Sequence, residues 1–265
     1  MFHDCSLSLI SGMMPTINLT TERTCTQTQE LDSLVQNDKM EGALKPQLIA
    51  IDGPVAVGKS TVGSVLARRL GYVFFDTGMI YRAFTWKVLE SGVSPTDEEK
   101  ICQLANMTKF EFVAVREWLL SPLIDGEDVS SKLLCPEVEE QVPLTSKIGG
   151  VRQALVLEQR RLARRGKVIM AGRDIGTVVL PWAELKIFLT APTEERAKRR
   201  YRELLAGGLN ASLETVLSDL KRRDEMDIRR AISPLRPAED AIIVNTEGLS
   251  LEQVVDRIYA LAADL

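Results

Sequence analysis

Apolar residues in this sequence alternate between short continuous runs and longer stretches with helical spacing. A short run favours a buried strand, whereas apolar residues three and four positions apart favour a helix. The first run covers residues 48–51. Val62, Leu66 and Leu70 follow at helical spacing, and Gly71 is the residue type preferred just after a helix C-terminus. The same two patterns predict strands at 72–75, 168–171, 185–189 and 241–244, and helices at 79–90, 151–164 and 251–261.

Five apolar strands separated by helices predict an α/β fold, in which a five-stranded parallel sheet is covered by helices on both faces. Such a sheet binds ligands at the carboxyl ends of its strands. A glycine loop follows the first predicted strand, Asp76 the second, and Arg173 with Asp174 the third. We therefore expect the functional site at that edge. Further along, Thr193 is a candidate N-cap for a helix.

Two parts of the chain stand apart from this alternation. Residues 96–147 contain short apolar patterns at 110–113 and 123–124 and turn residues at 125–128, which predict a small inserted α+β subdomain. Residues 1–45 are rich in Thr, Ser and Gln with scattered apolar residues, and are predicted to be a flexible N-terminal extension. The functional domain is expected to span residues 46–265.

Composition excludes several classes of protein. The net charge of −4 argues against a general nucleic-acid binder, which carries a basic surface. The only histidine, His3, lies in the extension, which argues against Ser-His-Asp catalysis and histidine-bound zinc. The four cysteines lack metal-binding spacing. No apolar run approaches the roughly 20 residues of a membrane-spanning helix, so we expect a cytoplasmic protein without nucleic-acid or membrane partners.

A glycine-rich loop of the pattern G-x-x-x-x-G-K-S lies between the first strand and its helix. Backbone N–H groups of such a loop point inward, and the following helix adds the positive end of its dipole, so phosphates bind there. Lys59 would contact the β- and γ-phosphates of ATP, and the Ser60 hydroxyl would bind Mg²⁺ together with waters. A glycine turn without a ligand is the alternative. The predicted ATP-binding loop comprises Gly53, Pro54, Val55, Ala56, Val57, Gly58, Lys59, Ser60 and Thr61.

Two basic segments occur later in the chain. Lys and Arg fill five of the seven positions from Arg196 to Arg202, and a second set lies at 221–230. Such residues can form a solvated helix face held by ion pairs. As a set they also provide the several guanidinium groups that phosphoryl transfer requires. Because the GTPase sequence N-K-x-D and an apolar strand ending in paired acids are missing from the sequence, a P-loop kinase of a small molecule is favoured.

Several motifs together resemble the bacterial cytidylate kinase family, a group of P-loop nucleoside monophosphate kinases. The motifs are I-A-I-D-G-P at 49–54, F-D-T-G-M-I-Y-R at 75–82, D-G-E-D-V-S at 125–130, A-G-R-D-I-G-T-V-V-L-P at 171–181 and K-R-R-D-E-M-D-I-R-R-A-I-S-P-L at 221–235. The resemblance begins at about residue 47 and continues to the C-terminus. It implies a P-loop NTPase-type sheet and a Mg²⁺-dependent monomer that transfers the γ-phosphoryl group of ATP to CMP or dCMP.

The resemblance also implies roles for parts of the chain. The insertion at 96–147 would bind the nucleoside monophosphate, and an arginine-rich lid at about 195–230 would close over ATP through Arg199 and Arg200. The implied catalytic residues are Lys59, Arg173, Asp174 and Arg230. The implied CMP-binding residues are Arg82, Arg173 and Arg230 at the phosphate, Arg152 and Asp174 at the cytosine, Arg223 and Asp227 at the ribose, and Thr77.

For two of these carboxylates the alternative is a structural ion pair, between Asp174 and Arg173 and between Asp227 and Arg223. One position departs from the family pattern. Where the family commonly has a serine that contacts cytosine, this sequence has Pro143, which carries neither a hydroxyl nor an N–H group.

The consequence of that departure concerns the acceptor base. Thr145 or Ser146 could replace the missing serine, and a relaxed preference that includes UMP is the alternative to strict selection of cytosine. Another small P-loop kinase and a nucleotide-binding regulator without catalysis are the alternative functions.

Overall fold

A computed structural model of the protein describes residues 46–265, so the extension predicted at 1–45 lies outside the described residues. The described strands are β1 Leu48–Asp52, β2 Val73–Asp76, β3 Phe110–Arg116, β4 Leu119–Ile124, β5 Glu127–Asp128, β6 Val168–Gly172, β7 Leu185–Thr190 and β8 Ile242–Asn245. The described α-helices are α1 Lys59–Leu70, α2 Thr77–Glu90, α3 Glu98–Met107, α4 Pro136–Thr145, α5 Gly149–Ala163, α6 Thr193–Ala206, α7 Leu213–Ile228 and α8 Leu251–Ala263. Within this range no helix combines the length and apolar character needed to cross a bilayer.

The strands form one sheet in the order β3-β4-β2-β6-β1-β7-β8, with β5 paired to β4. The five predicted strands β2, β6, β1, β7 and β8 are parallel to one another, as expected, but the sheet that contains them has eight described strands and is mixed rather than five-stranded and parallel. In the central strand β1, Ile49 lies between Ile169 of β6 and Leu185 of β7. All residues of β1 are buried, which explains why this strand is a continuous apolar run.

Helices cover both faces of the sheet, as predicted. On one face, Phe75 and Ile80 pack in a cluster with Leu155 of α5. On the other face, Leu66 of α1 packs in a cluster with Ile258 of α8. Each face therefore has its own apolar core, and the sheet is held rigidly between them.

The insertion adds strands to the main sheet. Strand β4 runs parallel to β2 through the pairing of Phe74 with Leu119, and β3 is antiparallel to β4. Phe112 of β3 packs edge-on against Phe75, with ring centroids 4.9 Å apart. The two strands predicted for a separate unit are thus continuous with the parallel sheet, because their apolar residues share its core.

The helix ends follow local chemistry. Gly71 adopts the left-handed conformation with φ of 70° and ends α1, as predicted. The Asp76 carboxylate accepts a hydrogen bond from the Gly78 N–H at 2.9 Å and caps α2. The prediction that Thr193 is an N-cap is wrong, because Pro192 holds that position in an extended conformation and α6 begins at Thr193.

Candidate functional site

The glycine loop connects the carboxyl end of β1 to the start of α1. A Cβ atom at Gly53 would lie 2.4 Å from the Leu189 carbonyl oxygen, so only glycine fits there. Gly58 has φ of 95°, a conformation that residues with a Cβ rarely adopt. The two glycines of the pattern are therefore required by close approach in one case and by backbone conformation in the other.

Lys59 is the first residue of α1 and is 8% exposed. Its ammonium group donates a hydrogen bond to the Pro54 carbonyl at 2.6 Å, across the loop. Burial lowers the pKa of Lys59 well below its usual value, and the nearby guanidinium of Arg173 acts in the same direction. An anion bound in the loop would restore the charged state of this lysine, since an opposite charge favours ionisation.

The neighbouring Ser60 hydroxyl donates to the Asp76 carboxylate at 2.5 Å. A hydroxyl and a carboxylate side by side at the mouth of a phosphate-binding loop provide the oxygen ligands that Mg²⁺ prefers. These residues therefore fit a magnesium ion that would be bound with phosphates and waters.

A cleft of about 360 Å³ opens beside the loop at the carboxyl edge of the sheet. Its walls come from the loop, from α2 and α4, from the turn after β6, and from α6 and α7. The structure therefore brings most of the predicted site residues together. Those that line the cleft are Val55, Ala56, Lys59, Ser60, Thr77, Arg82, Arg152, Arg173, Asp174, Arg200, Arg223, Asp227 and Arg230. The predicted residues outside this lining are Gly53, Pro54, Val57, Gly58, Thr61 and Arg199.

Arg152 and Asp174 form a buried ion pair at the back of the cleft, with side chains 4% and 6% exposed. Arg152 also donates to the Ser233 hydroxyl at 3.2 Å and to the Ser146 carbonyl at 3.3 Å. Its guanidinium also lies over the ring of Tyr81, 5.4 Å from the ring centroid. The alternative that pairs Asp174 with Arg173 is therefore wrong, because the Arg152 guanidinium occupies the Asp174 carboxylate.

Asp227 holds the next set of charges. Its carboxylate accepts from Arg173 at 2.7 Å and lies 4.0 Å from Arg230. The alternative pairing of Asp227 with Arg223 is wrong, since Arg223 lies 3.6 Å from Glu139 instead. The Nε and Nη2 atoms of Arg230 are buried and lack a hydrogen-bond partner among the described residues. Unsatisfied guanidinium nitrogens in a cleft are suited to bind an anion.

Glu139 of α4 was not singled out from the sequence. It accepts from Arg82 at 2.5 Å and also faces Arg223. Burial would raise the pKa of Glu139, but the charges of Arg82 and Arg223 outweigh it and hold that pKa below its usual value. This carboxylate stays ionised and neutralises two arginines of the cleft.

The side chains of Thr77, which lines the cleft, and Arg199, which does not, are both bonded within the protein. The Thr77 hydroxyl donates to the Ala171 carbonyl at 2.9 Å and joins α2 to β6. Arg199 donates to the hydroxyl and the carbonyl of Thr246, at 2.9 and 2.8 Å. Of the two predicted lid arginines, only Arg200 lines the cleft.

The position of the missing serine lies at the wall of the cleft. Pro143 is inside α4, and Ser146 directly follows that helix. Both residues line the cleft. The Thr145 hydroxyl is buried and lies 2.6 Å from that of Thr85, so it is already engaged. Ser146 is therefore the better placed of the two predicted substitutes.

Asp52 was also missed by sequence reasoning. Its carboxylate accepts from the N–H groups of Ile175 and Gly176, at 2.8 and 2.7 Å, and so fixes the turn that carries Asp174. Burial raises the pKa of Asp52 to about 6, against which the two backbone hydrogen bonds act. Its signal in the sequence was its position at the end of β1, directly before the glycine loop.

Comparisons with known proteins agree with this geometry. The family model for cytidylate kinase matches residues 49–264. A cytidylate kinase from Bacillus subtilis is 44% identical over 210 residues, which cover 79% of this chain and 93% of that protein. Cytidylate kinases from Geobacillus sp. and Caldicellulosiruptor bescii are each 48% identical over 213 residues, covering 80% of this chain and 95% and 94% of theirs. The family model matches most of the chain, and the Bacillus subtilis relative is 44% identical over 79% of it, so the chain belongs to the cytidylate kinase family.

Proposed function

We propose that this cytidylate kinase transfers the γ-phosphoryl group of ATP to CMP or dCMP in the cleft between the glycine loop and the arginines of α2 and α5, of the turn after β6, and of α7 and the residues that follow it. The observation that carries the proposal is Arg230, whose guanidinium lies beside the cleft and has two buried nitrogens with no hydrogen-bond partner within residues 46–265. Arg82 and Arg173 line the same cleft. A dianionic acceptor phosphate would satisfy all three groups.

On the donor side, the loop from Gly53 to Thr61 would bind the phosphates of ATP through its backbone N–H groups. Lys59 would exchange its hydrogen bond to the Pro54 carbonyl for the β- and γ-phosphates. Ser60 would hold Mg²⁺, whose charge would neutralise the phosphates.

On the acceptor side, Arg82, Arg173 and Arg230 would bind the phosphate of CMP. Arg82 and Arg173 are paired with carboxylates, Glu139 and Asp227, at the phosphate site. Binding of the acceptor phosphate would therefore exchange one anion for another, so the arginines remain neutralised both before and after substrate binds.

The buried pair of Arg152 and Asp174 would bind the cytosine. A carboxylate accepts a hydrogen bond from the exocyclic amino group of cytosine, and a guanidinium donates to its ring nitrogen and carbonyl oxygen. Arg223 and Asp227 would hold the ribose. Ser146 is the side chain with a hydroxyl that lines the cleft where Pro143 replaces the serine.

The helices α6 and α7 fall within the lid predicted at about 195–230. Arg200 would contact ATP directly, whereas Arg199 would first have to leave Thr246. Closure of the lid would exclude water, which competes with the acceptor for the phosphoryl group. In this scheme the chain positions two phosphates in line and neutralises charge, without a covalent enzyme intermediate.

A steady-state panel of CMP, dCMP, UMP, AMP and GMP with ATP and Mg²⁺ tests the proposal. We expect the highest kcat/KM with CMP or dCMP. A preference for AMP or GMP would overturn the acceptor assignment. Binding of ATP without any turnover in the presence of the whole panel would favour a regulatory protein instead.

A further inference from the structure

Arg196 is the most fully bonded arginine of the described structure that no role above uses. Its side chain is 4% exposed, and all five of its N–H groups donate. Two of them form a forked pair with the carboxylate of Asp224, at 3.2 and 2.7 Å. The others donate to the Ala191 carbonyl at 3.0 Å, to the Val55 carbonyl at 3.0 Å and to the Thr193 hydroxyl at 2.9 Å.

These partners belong to separate parts of the molecule. Val55 is in the glycine loop and lines the cleft, whereas Asp224 is in α7. Ala191 directly follows β7, so Arg196 also ties both to the sheet. One guanidinium group therefore connects the donor loop, the end of a central strand and the helix on the acceptor side.

Apolar contacts reinforce the same connection. Ala197 of α6 packs in a cluster with Val216 and Leu220 of α7. Val55 and Ala56 of the glycine loop pack against that cluster. The loop and the pair of helices thus form one packed unit, in which Arg196 and Asp224 are the polar centre.

Asp224 lies next to Arg223 in the sequence and about one turn before Asp227, whose carboxylate faces both Arg173 and Arg230. Any shift of α7 relative to Val55 would move the acceptor groups relative to the donor phosphates. In-line transfer is sensitive to such a shift, since a misplacement of about 1 Å can cost 10²-fold in rate.

We propose that Arg196 and Asp224 are a positioning pair that sets the spacing between the donor loop and the acceptor helix α7. The pair touches neither substrate and acts on the rate through the alignment of the two. The assignment of α7 to the acceptor rests on the proposed function above. The forked geometry is essential, because a lysine ammonium is a point charge that cannot reach the Val55 carbonyl and both carboxylate oxygens in one plane.

The test compares three single variants with the wild type. Asp224→Asn keeps the shape of the carboxylate but removes its charge, and Arg196→Lys keeps the charge but removes the fork. Glu225→Gln is the matched control, since Glu225 is the next residue of α7 and pairs with the exposed Arg229 at 2.9 Å. For each variant kcat, both KM values and the Tm are measured.

We expect kcat to fall at least tenfold in Asp224→Asn and in Arg196→Lys, with each KM changed less than threefold, and Glu225→Gln to stay within twofold of the wild type. In the double variant that combines Arg196→Lys and Asp224→Asn, kcat should fall no further than in the more impaired single variant, because both substitutions act through one contact. If one variant does not fold, the other supplies the same comparison.

A kcat within twofold of the wild type, with only the Tm lowered, would overturn the proposal and leave the pair a structural role. A change confined to the KM for CMP, or losses that add in the double variant, would also overturn it. If the acceptor panel instead shows that AMP is preferred, the kcat comparison is made with AMP, so the two proposals fail separately.

Discussion

The donor loop consists of consecutive residues between β1 and α1, and it presents mainly backbone groups to the cleft. The proposed acceptor side instead collects side chains from α2, α5, the turn after β6, and α7, and most of these charges are already paired with one another. A backbone cradle tolerates change at most positions apart from its glycines and its lysine. On the other side, each arginine would exchange a carboxylate partner for the phosphate, so removing either member of an ion pair changes the charge balance of the site. We therefore expect the two sides to respond differently to substitution.

The largest effect is expected at Lys59. Lys59→Met should lower kcat by about 10²–10³-fold, as for the loss of a single charge-stabilising donor, while the KM for CMP stays unchanged. Lys186→Met is a matched control, because Lys186 is equally buried and donates to the Pro181 carbonyl at 2.6 Å outside the cleft. Steady-state kinetics of both variants measure the contrast. A similar loss of kcat in the control would mean that removing a buried lysine, rather than a donor contact, lowers the rate.

Arg230 should show the opposite kinetic pattern. Arg230→Met removes two buried donors to the acceptor phosphate and should lower kcat/KM for CMP by about 10²-fold, with the KM for ATP unchanged. Arg229→Met is the neighbouring control, since that side chain is 78% exposed and pairs with Glu225. Equal effects of the two substitutions on kcat/KM would contradict the acceptor role of Arg230 and remove the contrast with the loop.

A smaller effect is expected within the acceptor side, at Asp174. Asp174→Asn replaces the proposed acceptor of the cytosine amino group by an amide that can donate to the uracil carbonyl. The ratio of kcat/KM for CMP to that for UMP should fall by about tenfold. Because the ratio is measured within one variant, the loss of stability from breaking the buried Arg152 pair does not affect it. An unchanged ratio would show that Asp174 has only a structural role.

The smallest effect concerns Asp52. Its hydrogen bonds to Ile175 and Gly176 join the residue before the glycine loop to the turn that carries Asp174. Because the Asp52 pKa of about 6 in the folded protein lies above the usual 3.8, the folded protein binds a proton there below pH 6 that the unfolded chain does not bind. The free energy of unfolding should therefore rise as the pH falls from 7 to 5, by about 1 kcal/mol relative to Asp52→Asn. Denaturant titrations of both proteins at each pH measure the difference, which would be constant if Asp52 did not titrate.

Much of the fold could be predicted from the sequence because the central strands are buried on both faces and so are continuous apolar runs. Strand β4 was recognised only at its end, since Ser121 and Pro122 interrupt its apolar pattern. The N-cap at Pro192 was missed because a following threonine is the more common capping residue. These errors occur where the local pattern and the tertiary structure differ.

The candidate site also has a part that the sequence could predict and a part that it could not. The glycine loop could be predicted because all of its residues are adjacent in the sequence. The partners of the acceptor side could not, since Asp174 pairs with Arg152 and Asp227 with Arg173 only after the chain has folded. Arg196 stood in a basic run like its neighbours, and only burial distinguishes it from them.

The attachment of β4 to β2 limits how the insertion can move. A strand that is hydrogen-bonded to the parallel sheet cannot swing as a hinged arm without breaking that pairing. Helix α4, which carries Glu139 and Pro143, is joined to α2 through side chains instead, by the ion pair of Glu139 with Arg82 and the hydrogen bond between Thr145 and Thr85. The insertion is therefore joined to the parallel sheet by backbone hydrogen bonds at β4 and to α2 by side chains at α4, so a substitution in α4 would change the wall of the cleft without breaking the strand pairing.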